Sequence, residues 1–227
     1  MLVQYNLDMN FHVITLFKDA IEGYLNESIL GRAKGEGKIT ISYYNPREYA
    51  EPLKSGKRVS YVDGRPYGGG PGMVMEAMPI VKAVEQALKK QAKNKSKIII
   101  FSPKGKQFTN EYARKIAKNY KNVVLISGRY EGIDARVKKI LKAEELSVGP
   151  YVLTGGEIPS AIFIDAVSRQ LKGVLGNFDS LEENRVLNDE VYTRPEALVY
   201  KKKKYKVPKV LLSGDHKKIE DWRMKKM

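Results

Sequence analysis

Short apolar segments alternate with helical segments through the middle of the chain, and loops that contain glycine separate them. The pattern predicts strands at 97–101, 122–126 and 145–148, and helices at 109–120, 134–141 and 159–171. Strands that alternate with helices are typical of an α/β domain with a mainly parallel sheet. Ligands of such sheets bind beyond the carboxyl ends of the strands. The three glycine-bearing loops within residues 102–156 therefore predict a binding site.

The first third of the chain predicts two further strands and two helical stretches. The strands are expected at 11–17 and 38–44, and the helical stretches at 18–34 and 79–93. Residues 45–72 carry no sustained period, and a loop of that length in a compact domain is usually functional or disordered. Its glycine cluster, residues 67–73, matches neither the dinucleotide fingerprint nor the Walker A pattern. It is either a ligand-binding loop or a plain flexible one.

Charge and composition restrict the class of function. The 41 Lys and Arg against 26 Asp and Glu give a net charge of +15, which predicts a polyanionic partner such as nucleic acid. The absence of cysteine excludes thiol nucleophiles and Cys-based metal sites, and two histidines are too few for a multi-histidine site. The longest apolar runs are too short to span a membrane, and the N-terminus does not resemble a signal peptide. We therefore expect a cytoplasmic protein with no membrane partner and no metal site.

The character of the chain changes after residue 176. Residues 177–195 are polar and irregular, which indicates a linker between a domain at 1–176 and a short C-terminal domain at 196–227. The basic run at 201–206 either contacts phosphates or is a solvated tether. A charged helix is expected at 216–227, and it carries the only tryptophan, Trp222.

Several charged residues have two possible roles at this stage. Arg129 and Glu131, in the loop 128–132, either contact a ligand or form a structural ion pair. Arg169 lies four residues after Asp165 on a predicted helix, a spacing that also suits a surface ion pair. The acids of the following loop, Asp179, Glu182 and Glu183, are either solvated or one of them supplies a general base.

The order of the motifs resembles one family over nearly the whole chain. The motifs lie at 28–32, 65–73, 102–105, 128–132, 151–157, 173–176, 192–195 and 211–216. In this order they resemble the bacterial tRNA (guanine-N1)-methyltransferases, which modify the guanine 3′ of the anticodon. The most specific are Tyr-Gly-Gly-Gly-Pro-Gly-Met at 67–73 and Tyr-Val-Leu-Thr-Gly-Gly-Glu at 151–157.

This resemblance implies a fold, a methyl donor and partners. The fold is the SPOUT-type α/β fold with a deep trefoil knot, plus a small helical C-terminal domain. The partners are a second copy of the chain, in a homodimer, and the anticodon branch of tRNA. The donor is S-adenosylmethionine, and the need for Mg²⁺ cannot be read from the sequence. By matching motif positions, the donor pocket comprises Ser102, Pro103, Gly105, Gly128, Tyr130, Glu131, Val148, Gly149, Pro150, Tyr151, Val152, Leu153, Gly155 and Gly156.

The resemblance also implies a catalytic pair, of which one member is altered here. The family arginine matches Arg169, and it stabilises the charge that develops on O6 when N1 of guanine loses its proton. The family aspartate that takes this proton aligns with Asn184, whose neutral amide is not a base. We assign the base to Glu183 ahead of Glu182, unless the chain is catalytically impaired.

Two other functions compete with this assignment. One is a knotted methyltransferase that acts on another RNA position, against which the segments 67–73 and 192–195 argue. The other is a tRNA-binding protein without catalysis, which Asn184 favours.

Two lesser departures from the family are Pro150, where an acidic residue is common, and a C-terminal domain shorter than usual. The basic run at 201–206 is a candidate to replace the tRNA contacts of a longer domain.

Overall fold

The computed structural model describes residues 8–51, 61–175 and 190–224. It divides into two compact units, Met1–Gly176 and Asn177–Met227.

The first unit is built around a five-stranded parallel sheet. Its strands are β1 (Met9–Ile14), β2 (Ile39–Tyr44), β5 (Ser96–Gln107), β6 (Asn122–Ile126) and β7 (Glu144–Ser147), and they lie in the order β2-β1-β6-β5-β7. A separate antiparallel pair, β3 (Asp63–Gly64) and β4 (Val74–Met75), encloses the loop that carries the glycine cluster. The expected α/β domain with a mainly parallel sheet is confirmed.

Helices cover both faces of this sheet. They are α1 (Asp19–Asn26), α2 (Ser28–Gly35), α3 (Ala77–Leu88), α4 (Asn110–Asn119), α5 (Arg136–Leu141) and α6 (Glu157–Ser168), with short 3₁₀ helices at Pro46–Tyr49 and Lys93–Lys95. Two hydrophobic clusters result, one with Phe11, Leu125 and Phe163, the other with Ile14, Ile80 and Ile126. All five residues of the central strand β6 are buried, as expected for a parallel strand with both faces covered.

The helical stretch predicted at 18–34 is two helices, so that prediction was wrong in part. The chain breaks at Glu27, which is extended, and Ser28, which has a positive φ of 51°. Gly31 makes the corner possible, because a Cβ there would collide with the backbone of Asn26. The period of apolar residues does not change across the break, which is why the sequence did not reveal it.

The segment 102–105, predicted as a loop, belongs to β5. Phe101 and Lys106 both pair with Leu146 of β7, so the residues between them form a bulge in a continuous strand. Gly105 is required there, because a Cβ would lie 2.6 Å from the Leu146 carbonyl carbon. The proline and glycine that suggested a loop are instead the residues that a bulge tolerates.

The remaining elements are present, but some boundaries differ: β1 ends at Ile14 and not at residue 17, and α3 ends at Leu88 and not at residue 93. Thr109 caps α4 as expected, its hydroxyl accepting a hydrogen bond from the Tyr112 amide at 3.3 Å. Helix α6 begins at Glu157, two residues before the predicted start, and α5 begins at Arg136, two residues after it.

The second unit contains a hairpin and a helix, so the expectation of a small helical C-terminal domain was wrong in part. Strands β8 (Ala197–Tyr200) and β9 (Lys203–Lys206) pair antiparallel, and a 3₁₀ helix (Lys209–Leu212) leads to α7 (His216–Met224). The Tyr192 and Trp222 rings lie 6.5 Å apart and form the aromatic contact of this unit. Most of the predicted linker, residues 177–189, lies outside the described residues.

Candidate functional site

A cavity of about 280 Å³ opens at the bulge of β5 and at the carboxyl ends of β6 and β7. Three loops form its walls: the bulge after Phe101, the turn after β6 and the segment between β7 and α6. Twelve of the fourteen residues predicted to bind the donor line it, namely Ser102, Pro103, Gly128, Tyr130, Glu131, Val148, Gly149, Tyr151, Val152, Leu153, Gly155 and Gly156. The carboxyl ends of neighbouring parallel strands thus bring together segments that are far apart in the sequence.

The other two predicted residues do not line the cavity. Gly105 faces β7, where its missing side chain allows the bulge to approach Leu146. Pro150 is exposed and lies outside the lining. Conversely, the cavity includes residues that the prediction omitted, among them Arg129, Ile133 and Thr154. Two of these, Arg129 and Thr154, lie inside the motifs 128–132 and 151–157, so the motifs contained the signal.

Arg129 makes an ion pair with Glu157, not with Glu131. Its Nε lies 2.9 Å from Glu157 Oε2, and its guanidinium lies over the Phe17 ring, 4.6 Å from the centroid. Glu157 is 1% exposed, and its other oxygen accepts a hydrogen bond from Thr15 Oγ1 at 2.8 Å. The pair therefore fastens the turn after β6 to the first residue of α6.

Glycines allow two walls of the cavity to pack directly against each other. The Gly156 amide donates to the Gly128 carbonyl at 2.9 Å. A Cβ on Gly156 would lie 2.5 Å from Ser127 Cα, and one on Gly155 would meet Arg129 and Glu157. Gly156 is thus needed for the packing of the loop against the end of β6, whereas a Cβ on Gly155 would crowd the side chains of the Arg129–Glu157 ion pair.

The glycine-rich loop at 67–73 meets the turn after β6. The Glu131 amide donates to the Met73 carbonyl at 3.0 Å, and a Cβ on Gly72 would lie 2.6 Å from Glu131 Cγ. Gly68, Gly69, Gly70 and Gly72 all have positive φ, a conformation that favours glycine. Tyr67 is fully exposed. The glycine-rich loop therefore contacts Glu131, a residue of the cavity lining, although none of residues 67–73 lines the cavity itself.

A second depression, of about 520 Å³, lies beside the first one. It is lined by residues 15–20 together with Tyr43, Asn45, Glu48 and Arg129. Arg129 is the residue that both linings share. The carboxyl ends of β1 and β2 supply most of this second lining.

Arg169, the predicted catalytic arginine, lies at the C-terminal end of α6 and does not line the donor cavity. Asp165, its expected surface partner, accepts a hydrogen bond from the Tyr24 hydroxyl of α1. That hydrogen bond raises the pKa of Tyr24, while the nearby positive charge of Arg169 acts in the opposite direction. Arg169 thus lies on the α1 side of α6, with Ile158, Ile162 and Asp165 at spacings of four, three and four residues.

The predicted base falls outside the described residues. Glu183 lies within 176–189, as do its alternative Glu182 and the altered residue Asn184. Within the described ranges, no cluster of three or more His, Asp or Glu side chains is arranged to hold a metal ion. No helix in the described part of the chain is long and apolar enough to cross a membrane.

Comparison with known proteins gives one consistent result. Residues 9–227 match the family model described as tRNA (Guanine-1)-methyltransferase TrmD. The tRNA (guanine-N(1)-)-methyltransferase of Thermomicrobium roseum is 47% identical over 218 residues, which cover 95% of this chain and 77% of the relative. The enzymes of the same name from Carboxydothermus hydrogenoformans and Pseudoalteromonas atlantica are 43% and 42% identical, over 96% and 95% of this chain and 82% and 78% of their own.

Proposed function

Because the chain belongs to the tRNA (guanine-1)-methyltransferase family, we propose that it transfers a methyl group from S-adenosylmethionine to N1 of guanine 37 in tRNA. The observation that carries this proposal is the cavity at the bulge of β5 and the carboxyl ends of β6 and β7, where the motifs 128–132 and 151–157 meet. The net charge of +15 supports a polyanionic substrate.

The cavity has the chemistry that the donor requires. Ile133, Leu146 and Val152 provide apolar walls for an adenine ring, and the glycine-bearing loops provide backbone groups for its nitrogens. Glu131 adds a carboxylate, which suits a ligand with a positively charged sulfonium and amino group. The bound donor supplies an electrophilic methyl group. We propose that the twelve residues of the lining that the resemblance identified hold it.

Methylation of N1 requires removal of its proton. Glu183 is the proposed base, and Arg169 is the proposed cation that stabilises charge on O6 as the proton leaves. Guanine 37 lies in the anticodon loop, so it can leave its stack and enter the site at modest cost. Precise alignment of N1 with the methyl group provides much of the remaining acceleration.

The position of Arg169 supports a homodimer. Arg169 shares a face of α6 with Ile158 and Ile162, which are 52% and 38% exposed, and Tyr24 of α1 lies against the same face. A second copy of the chain on this face would bury the apolar side chains and bring Arg169 to the interface. The proposed site therefore combines residues of both subunits.

The proposal includes the deep trefoil knot of the SPOUT class. It is supported by the strand order β2-β1-β6-β5-β7 and by the close packing of Gly156 against Ser127 after the chain leaves β7. It also includes a linker at 177–195, a short tRNA-contacting domain at 196–227 and a cytoplasmic location, where tRNA is modified.

Transfer of labelled methyl from S-adenosylmethionine to tRNA transcripts tests the proposal. One transcript carries guanine at position 37, and the matched control carries adenine there. We expect label only in the guanine transcript. Binding of both donor and tRNA without transfer would favour the impaired, tRNA-binding homologue that Asn184 suggests. Label in both transcripts would indicate a different target position.

A further inference from the structure

The hairpin β8–β9 is exposed on both of its faces. Tyr200 and Tyr205 are 63% and 49% exposed, and Leu198 and Val199 are also exposed. The register pairs Leu198 with Tyr205 and Tyr200 with Lys203, so these four side chains share one face. A two-stranded hairpin gains little from leaving two aromatic rings in water, which indicates a role in binding.

Cations surround the two rings. Lys201 Nζ lies 5.5 Å from the centroid of the Tyr200 ring, and Lys203 Nζ lies 5.3 Å from that of Tyr205. Both distances are within the range of cation–π attraction. Residues 197–206 contain five lysines and no acid. Each ring therefore has an ammonium group over one face, which leaves the opposite face for a stacked base.

We propose that Tyr200 and Tyr205 stack with unpaired nucleotides of the RNA substrate, while the adjacent lysines contact their phosphates. Every base has a π-face, and positively charged surfaces with exposed aromatic rings bind single-stranded nucleic acid. This inference rests on the proposed function, because it takes tRNA as the partner. It goes further by assigning a stacking surface to residues outside the methyl-transfer site.

Charge complementarity favours this occupant over the alternatives. A second copy of the hairpin would bring ten lysines together, which like-charge repulsion opposes. The phosphates of a duplex stem would satisfy the lysines but would leave both rings without a partner, because paired bases remain in their stack. Unpaired nucleotides offer phosphates to the lysines and unstacked bases to the tyrosine rings at the same time.

The double variant Tyr200→Ala/Tyr205→Ala tests the stacking, with tRNA affinity measured by fluorescence anisotropy on the full chain. We expect the affinity to fall about tenfold or more, since stacking on an aromatic side chain contributes about that much per base. Tyr200→Phe/Tyr205→Phe retains the rings and should bind like the wild type. Val199→Ala, on the other face of the hairpin, is the matched control and should also be unchanged.

Salt dependence separates stacking from charge. The tyrosine variants remove no cation, so the slope of affinity against salt should stay the same. Lys201→Ser/Lys202→Ser should reduce that slope by about 0.7 for each single-strand phosphate that a lysine no longer neutralises. Binding of a blunt RNA duplex should not respond to the tyrosine variants. An equal decrease in affinity for duplex and tRNA would overturn the stacking and assign the effect to the hairpin's fold.

Photo-crosslinking locates the contact directly. Transcripts with 5-iodouridine in the unpaired loops should crosslink to Tyr200 or Tyr205, as identified by mass spectrometry of the peptides. Wild-type affinity in the double alanine variant, with crosslinks only elsewhere, would overturn the inference. Methyl transfer by the wild type, assayed in parallel, keeps the two proposals distinct. If the protein transfers methyl but the tyrosines do not contribute to binding, only the stacking proposal is refuted. If the tyrosines contribute to binding but no methyl is transferred, only the proposed enzymatic function is refuted.

Discussion

At the scale of single residues, the ion pair of Arg129 and Glu157 connects the site to the core. Glu157 is buried and also bonded to Thr15 at the end of β1, while Arg129 lines both depressions. Breaking a buried pair costs more than the pair contributes, because the remaining charge keeps its desolvation penalty.

Glu157→Gln tests this dependence. The amide preserves the volume and the hydrogen bond from Thr15 but leaves Arg129 without a counter-charge. Because Arg129 is partly exposed, we expect the free energy of unfolding in urea to fall by about 1–3 kcal/mol. The double variant Arg129→Met/Glu157→Gln should lose less free energy of unfolding than the sum of the losses in the two single variants, since both single substitutions remove the same ion pair. Additive losses would mean that the two charges do not interact.

The identity of the base is a second question at this scale. Glu183→Gln should lower kcat for methyl transfer by about 100-fold or more, because it removes general base catalysis. The matched variant Glu182→Gln should stay near the wild type, and both should bind donor normally. The opposite pattern would assign the base to Glu182. Asn184→Asp, which restores the family's carboxylate, should rescue Glu183→Gln.

His12 makes stability depend on pH. It is 5% exposed in β1, and burial lowers its pKa below the ordinary 6.5, opposed by a hydrogen bond with Asn122. Below pH 6.5 the unfolded chain takes up a proton that the folded chain does not, so stability falls as the pH falls. The carboxyl groups with lowered pKa, such as Asp134, titrate below this window.

The urea midpoint of the wild type should therefore decrease between about pH 7.5 and pH 5.5, the range that brackets the ordinary histidine pKa. His12→Gln should remove most of this decrease, whatever its effect at the upper end of the range. His216→Gln, which changes the exposed second histidine, should retain it. A decrease that persists in His12→Gln would place the titrating group elsewhere.

At the scale of elements, glycines determine how segments approach each other. Gly31 permits the corner between α1 and α2, Gly105 permits the bulge of β5 against β7, and Gly156 permits α6 to start against the end of β6. In each case, a Cβ would meet backbone atoms, which cannot move aside as a flexible side chain can.

Gly156→Ala should therefore destabilise the first unit by about 1–3 kcal/mol, the usual cost of overpacking. It should also weaken donor binding, because the displaced loop lines the cavity. Calorimetric melting and donor titration measure the two effects. Gly35→Ala is the control, since a Cβ there meets nothing within 4 Å and alanine favours the helix. Equal melting temperatures for both variants would contradict the packing argument.

At the scale of the whole molecule, the exposed face of α6 bears on whether one chain is sufficient for methyl transfer or whether two chains must associate. Ile158 and Ile162 remain exposed one turn apart, and Arg169 lies on the same face, away from the cavity of its own chain. Adjacent exposed apolar side chains are typical of a subunit interface, and a dimer through this face would bring the proposed catalytic arginine to the interface.

Ile158→Asp/Ile162→Asp should convert a dimer of twice 25.7 kDa into a monomer in sedimentation experiments. Methyl transfer should be lost with it, while donor binding should persist in the cavity of each chain. Ile140→Asp alters an exposed isoleucine of α5 and should leave the mass unchanged. A wild type that sediments as a monomer, or an active monomeric variant, would refute the interface.

The sequence by itself determined the local features of this protein. The apolar runs predicted the strands, Thr109 predicted the cap of α4, and three glycine-bearing loops predicted where the cavity lies. These features depend on residues close together in the chain, where side-chain type limits the backbone conformation. The order of the motifs identified the family, which the comparisons confirm.

Only the tertiary structure decided which distant residues became partners. Glu157 rather than Glu131 pairs with Arg129, Gly105 supports a bulge rather than the cavity wall, and Arg169 lies on an outer face of α6. Each outcome depends on the distance between segments that many residues separate. That distance is set by strand order and by the close packing of the sheet against its helices, which no local pattern encodes.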